Sequence, residues 1–233
     1  MPFICVKILD EGSGLFMKNV RAVVFDLDGT LLNTLNNITA AVNHTLTAYG
    51  MPIRTPAEVR GFVGNGVVSL IARAIPVGTD ADTTARVLAD FRVYYADHTL
   101  DLTAPYDGIL PMLDCLKEHG VAMAIVSNKP DVSVERLCEK FFANHITVAL
   151  GDSPDRPRKP APDGTLAALA QLGVSAEEAV FVGDGDADVL TARNAGMPCV
   201  GVTWGFRDAD DLRAAGATVL ADTPAQVAEI IVQ

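Results

Sequence analysis

The chain is predicted to fold as an α/β protein, a doubly wound parallel sheet with an inserted helical cap domain. Three observations predict it: short apolar runs that alternate with amphipathic segments, one long stretch without a strand, and acids and lysines that recur just past the ends of the runs. Near-continuous apolar runs are what strands covered on both faces require.

After residue 20 the runs are AVVF (22–25), VAMAIVS (121–127), ITVALG (146–151), AVFVG (179–183), CVGVTW (199–204) and ATVLA (217–221). Between them ILPMLDCLKEHG, VSVERLCEKFF, GTLAALAQLG and PAQVAEIIVQ carry helical spacing, and the first and third stop at a glycine. Roughly 90 residues separate the first two runs, too many for a single crossover helix. Within that stretch Ile38, Val42, Leu46 and Tyr49 form one helical stripe, and Val87, Leu88, Phe91, Tyr94 and Tyr95 form another. The expected division is a core of residues 20–34 and 103–233 and a helical cap of residues 35–102, hinged near Leu32–Thr34 and in LTAPYDG. Residues 1–19 form an extension holding a second methionine, Met17, expected to be the native start; the alternative is an added edge strand over Ile4–Leu9.

With 29 acidic against 18 basic side chains and a formal net charge of −11, the chain repels nucleic acid and anionic membrane surfaces. Cys5, Cys115, Cys138 and Cys199 lie far apart, and His44, His98, His119 and His145 show no paired spacing, so reduced thiols are expected and a zinc site is not. No apolar run approaches the ~18 residues that span a bilayer. Asp10 and Glu11 interrupt the region a signal peptide would occupy. The expectation is a soluble, cytoplasmic protein whose partner is a small molecule.

In open α/β sheets ligands sit beyond the carboxyl ends of the strands. There the sequence places Asp26 and Asp28, then Ser127-Asn128-Lys129, then DRPRKPAPDG with Lys159, then Asp184 and Asp188 in GDGDADV. Acids gathered without a cation suppress one another's ionisation, and a set of hard oxygen ligands without cysteine or histidine favours Mg²⁺. Each piece also has a plain explanation. Acids are common in turns, SNK can cap a helix, Lys159 can belong to a solvated proline-rich linker, and acids suit a helix N-terminus. Set in order on four successive strand ends, the pieces argue for one site. Gly29 permits a tight turn, and residues two apart on an extended strand place Asp26 and Asp28 on one side with Leu27 packed behind. Asp184 and Asp188 share a face if a helix starts near residue 185.

This ordered set resembles the haloacid dehalogenase-like hydrolase superfamily, whose four motifs appear as DLDGT, the serine of VSNK, the lysine of RKPAP and GDGDAD. The likeness covers residues 20–233 and implies a Rossmann-like core. It implies that Asp26 is a nucleophile forming an aspartyl phosphate and that Asp28 is the general acid and base. It further implies that Mg²⁺ is held by Asp26, the Asp28 carbonyl and Asp184 with support from Asp188. Ser127, Asn128, Lys159 and the backbone around Gly29 and Thr30 would bind phosphoryl oxygens.

FVGNGVVSLIARA, APYDGILPMLDCLKEHG and GVTWGFRD resemble the phosphoglycolate phosphatase-like branch, which implies hydrolysis of 2-phosphoglycolate. On that reading Gly64, Asn65 and Gly66 contact the substrate; the plain alternative is a turn before a helix. Trp204 is assigned to packing. A sugar-phosphate phosphatase, pyrophosphatase or β-phosphoglucomutase would carry the same core. A metal-free dehalogenase is opposed by Asp28 and Asp184, and a dinucleotide-binding enzyme by the missing glycine fingerprint after the first strand. A phospho-accepting signalling module is usually about half as long and has no cap. Asn33 stands where the family commonly has aspartate, and is expected to cap the first cap helix as a hinge residue.

Overall fold

A computed structural model describes residues 19–232. The suggested start at Met17 and the edge strand over Ile4–Leu9 lie outside the described residues. Six parallel strands form the sheet: β1 (Ala22–Phe25), β4 (Ala122–Pro130), β5 (Val148–Asp152), β6 (Ala179–Gly183), β7 (Cys199–Val202) and β8 (Val219–Ala221), in the order β5-β4-β1-β6-β7-β8. The chain builds outward from β1 to one side, then returns to its other side at β6. That reversal makes the carboxyl end of β1 a topological switch point, the crevice where open sheets bind ligands.

Alternation along β1 explains why both faces are covered. Val23 and Phe25 pack under α5 (Ile109–Glu118), α6 (Asp131–Phe142) and α10 (Pro224–Ile231). Ala22 and Val24 face α7 (Asp163–Leu172) and α8 (Asp186–Ala195). A short helix, α9 (Ala209–Ala215), packs Leu212 against Val189. Helices α7, α8 and α9 end on left-handed glycines at Gly173, Gly196 and Gly216, and α10 starts from a Thr223–Gln226 capping box.

Four helices lie between β1 and β4: α1 (Leu35–Ala48), α2 (Pro56–Phe62), α3 (Gly66–Ala74) and α4 (Ala81–His98). They surround a hydrophobic cluster of their own, with Ile38, Val42 and Leu46 of α1 meeting Val87, Phe91 and Tyr95 of α4. A Thr55–Glu58 capping box starts α2, and the Asp80 carboxylate starts α4 by accepting from the Thr83 amide at 2.9 Å. Entry and exit of this helical insertion are clamped by a two-stranded antiparallel ribbon, β2 (Leu32–Asn33) against β3 (Ala104–Pro105). Among the described residues no helix is long and apolar enough to cross a membrane.

Two local expectations change. Asn33 pairs with Ala104 in the ribbon and does not cap α1, whose N-cap is Thr34 with no side-chain capping bond. SNK is not a turn after its strand either: β4 continues through it to Pro130, with a register shift against β5 between Val126 and Pro130. The shift accommodates residues whose side chains have partners outside the sheet.

Leu113 is fully buried in the larger core cluster. Leu113→Ala is expected to lower unfolding free energy by about 3 kcal/mol, through lost burial and the cavity left behind, seen as a lower urea midpoint with an unchanged slope.

Candidate active site

Strand β1 ends at Phe25, and the Asp26 amide still bonds to the Val182 carbonyl of β6 at 2.9 Å. The chain then turns: Leu31 and Leu32 both donate to the Leu27 carbonyl, and Gly29 takes a φ of 88°. Asp26 and Asp28 therefore do not lie on one extended strand, as their spacing predicted. They sit at the strand tip and in the following turn, with Leu27 fully buried between them.

Asp26 is the centre of a buried acid cluster. Carboxylate oxygens of Asp26, Asp184 and Asp188 lie within 4.8 Å of one another. Asp184 precedes α8 and Asp188 sits in its first turn, accepting from the Gly185 amide at 2.9 Å. The helix thus starts at Asp186, and the two acids converge through the turn at its N-terminus and not as neighbours on one helical face.

Lys159 answers part of the charge. Its ammonium lies 2.8 Å from Asp26 Oδ1 and 2.7 Å from Asp188 Oδ1. Burial lowers the Lys159 pKa, but Asp188 and Asp26 outweigh it and the net shift is upward. Lys159 meets Asp26 as an ion pair off hydrogen-bonding geometry, which leaves the buried Oδ1 without a hydrogen bond.

Burial and then Asp188 raise the Asp26 pKa to about 7 against the pull of Lys159. Burial, Asp188 and Asp26 raise that of Asp184 to about 8, against the Phe206 amide and Thr30. One ammonium among three carboxylates leaves an excess of negative charge. The all-carboxylate donor set and this excess fit a hard divalent cation.

Asp184 is fixed by two donors. Thr30 Oγ1 donates to its Oδ1 at 2.8 Å and the Phe206 amide to its Oδ2 at 2.7 Å. A Cβ on Gly29 or Gly205 would collide with its carboxylate, so both positions need glycine for close approach. Gly29 and Thr30 thus hold an acid in place and do not line the cavity in front of it. Trp204, assigned to packing, also donates its indole N–H to the Thr30 carbonyl at 2.9 Å.

In front of Asp26 lies a cavity of about 60 Å³. Its core side is Asp26, Asp28, Ser127, Asn128 and Lys129; its upper wall is largely apolar, with Ile38, Val67, Leu70 and Phe91. Gly64 and Gly66 reach it, whereas Asn65 faces another depression beside Arg60 and Arg73. Asn128 spends its amide on protein partners: Oδ1 accepts from the Lys159 amide at 2.8 Å, and Nδ2 donates to the carbonyls of Lys159 and Gly64, both at 3.1 Å. Its side chain ties β4, the lysine loop and the GNG turn together.

Sequence reasoning placed Lys129 at a strand end without a role and read Tyr95 only as part of a helical stripe. Lys129 Nζ lies 3.0 and 3.2 Å from the two Asp28 oxygens and donates to the Tyr95 hydroxyl. Burial lowers its pKa, but Asp28 and then Tyr95 outweigh that and hold the ammonium charged. Its position directly after Ser127-Asn128 was a usable signal. Tyr95 gave none, because it also belongs to the apolar stripe of α4.

An open parallel sheet with an acid and lysine cluster at its switch point and a helical insertion above it defines an α/β enzyme with a covered site. Residues 23–202 match the family described as haloacid dehalogenase-like hydrolase, and the chain belongs to that family. It is 34% identical to phosphoglycolate phosphatase 1 of Pseudomonas aeruginosa over 87% of this chain and 76% of the relative. It is 30% identical to the N-acetylmuramic acid 6-phosphate phosphatase of the same organism, over 92% of this chain and 97% of the relative. A crystal structure from Lactobacillus delbrueckii subsp. bulgaricus, provisionally assigned as a phosphoglycolate phosphatase, superposes with a TM-score of 0.86 at 36% identity, covering 91% and 98% of the two chains.

The raised carboxyls set a stability trend. Asp26 and Asp184 bind protons more tightly folded than unfolded, so protonation favours the fold and that contribution is lost as pH rises through about 7 and about 8. In EDTA the melting temperature is expected to fall as pH rises from the ordinary carboxyl value of 3.8 to about 8 and to level off above it. An added divalent cation, which needs the ionised carboxylates, is expected to raise it more at the alkaline end than at about pH 5.5.

Proposed function

We propose that the chain is a Mg²⁺-dependent phosphatase of small phosphomonoesters that acts through an aspartyl phosphate, with 2-phosphoglycolate as its substrate. The observation that carries this is Asp26, a carboxylate at the cavity floor with one buried oxygen against Lys159 and without a hydrogen bond. The 34% identity to a phosphoglycolate phosphatase over most of the chain supports the substrate.

Asp26, the Asp28 carbonyl and Asp184 would hold the Mg²⁺, with Asp188 behind them. When bound, the ion supplies positive charge to the nucleophile and to the phosphoryl oxygens. An Asp26 oxygen attacks phosphorus while the bond to the leaving oxygen breaks, and Asp28, which must enter this step as the carboxylic acid, gives that oxygen its proton and becomes the carboxylate. Asp28 then takes a proton from the water that attacks the aspartyl phosphate, releasing phosphate and restoring the Asp26 carboxylate. Lys129, paired with Asp28, keeps its carboxylate at the cavity wall. Ser127 and Lys159 offer donors to phosphoryl oxygens, in a site the helices of residues 35–102 close from water.

A second reading rests on the cavity wall. Ile38, Val63, Val67, Leu70 and Phe91 present apolar surface, and among the described residues Lys129 is the one cation lining the cavity. Such a wall suits a larger leaving group, and the N-acetylmuramic acid 6-phosphate phosphatase matches nearly its whole length.

Asp26→Asn and treatment with EDTA are each expected to abolish turnover, read as phosphate release. Activity surviving either one overturns the mechanism. In a panel with Mg²⁺, 2-phosphoglycolate is expected to give the highest kcat/KM. N-acetylmuramic acid 6-phosphate ahead of it would select the second reading.

A further inference from the structure

The GVTWGFRD stretch has no part in the chemistry above, yet it carries the tightest link between the helical insertion and the acid cluster. Phe206 lies in this core loop, but its ring is buried in the hydrophobic cluster of α1–α4. Its amide donates to Asp184 Oδ2 at 2.7 Å. The carbonyl of the same peptide unit, that of Gly205, accepts from Arg60 Nη2 at 2.9 Å, and Arg60 Nε donates to the Phe206 carbonyl at 2.8 Å. Arg60 stands on α2, and Arg207 returns the grip by donating to the Arg60 carbonyl at 3.2 Å and the Val63 carbonyl at 2.9 Å.

A trans peptide is planar and points its C=O and N–H in opposite directions. The Gly205–Phe206 peptide is therefore held between a guanidinium on the insertion and a carboxylate in the acid cluster. Turning that peptide to lose one bond misdirects the other. A charged donor on the carbonyl also polarises the peptide and strengthens the bond made by its N–H.

We propose that Arg60 is a positioning residue for Asp184, so that seating of α2 on the core and divalent cation binding at Asp184 reinforce each other. This rests on the reading of Asp184 as a metal ligand. Because coupling of two equilibria is reciprocal, the cation must also tighten the seat of α2.

The test is Mg²⁺ binding by calorimetry to the full chain as wild type, Arg60→Ala, Arg60→Lys and Arg86→Ala. Arg86 stands on α4 and donates to Thr83 of the same helix, so it reports the loss of an arginine from the insertion without the link. Groups that orient metal ligands are worth about 10- to 100-fold in affinity. Arg60→Ala is expected to weaken Mg²⁺ binding at least about tenfold, Arg60→Lys by less because one ammonium cannot hold both carbonyls in a fork, and Arg86→Ala not at all.

Hydrogen exchange of the wild type gives a reading that needs no variant to fold: Mg²⁺ is expected to slow exchange across α2. A folded Arg60→Ala with wild-type affinity, or exchange in α2 indifferent to Mg²⁺ in a wild type that binds it, overturns the coupling and leaves the metal site standing. A wild type that does not bind Mg²⁺ overturns both.

Discussion

Three carboxylates crowded around one ammonium are the constraint from which the rest of the molecule follows. Asp26 and Asp184 follow two adjacent strands whose carboxyl ends are held level by parallel pairing, and Asp188 joins them from the first turn of α8, so sheet and helix together impose the crowding. Burial makes the repulsion expensive, since charges removed from water interact more strongly. The surroundings offset it with specific donors: the Lys159 ammonium, the Thr30 hydroxyl, and the amides of Gly185 and Phe206. What remains is a deficit of positive charge in a place shaped for a cation and a phosphoryl dianion.

The same constraint explains how a chain with a net charge of −11 can accept an anion. Its overall field repels a phosphate ester, so attraction has to be local. Lys129 and Lys159 are buried and held charged by aspartates, Lys129 by Asp28 and Lys159 by Asp26 and Asp188; Lys129 lines the cavity, and Lys159 backs the Asp26 carboxylate on its floor. Over them the insertion adds almost no charge to the cavity. Excluding water there strengthens every ionic contact below, so an apolar wall contributes to the electrostatics without a charge of its own.

Strand positions, helical insertion and the identity of most acids were legible because each has a local cause. Apolar runs set the strands, helical stripes set α1 and α4, and acids just past the runs mark the switch point. Legibility stopped where a side chain's job is set by a residue far away in sequence. Thr30 and Gly29 read as phosphate contacts, but they support Asp184, 154 positions from Thr30. Asn33 has the chemistry of a cap, yet pairing with Ala104 determines its place. Asn65 sits between two site glycines and still turns outward, because the positive φ values of Gly64 and Gly66 redirect the chain around it. Phe206 offered nothing to periodicity, since its hydrophobic partners belong to the insertion and its own segment is a core loop.

Three side chains that join the insertion to the core share a chemical style. Asn128 reaches the Gly64 carbonyl, Arg60 the carbonyls of Gly205 and Phe206, and Arg207 those of Arg60 and Val63. Every acceptor is backbone, available at any residue, so no complementary acid appears in the sequence to mark the pair. A seam built this way also separates at modest cost. Each bond is worth about 1 to 3 kcal/mol net, because water takes over the same donors and acceptors on opening. Phe206 is different, because pulling an aromatic ring from an apolar cluster exposes surface that water does not compensate. The polar contacts thus define where the insertion sits, while Phe206 sets much of the resistance to lifting it. Since the Phe206 amide also holds Asp184, one residue both opposes opening and orients the acid cluster.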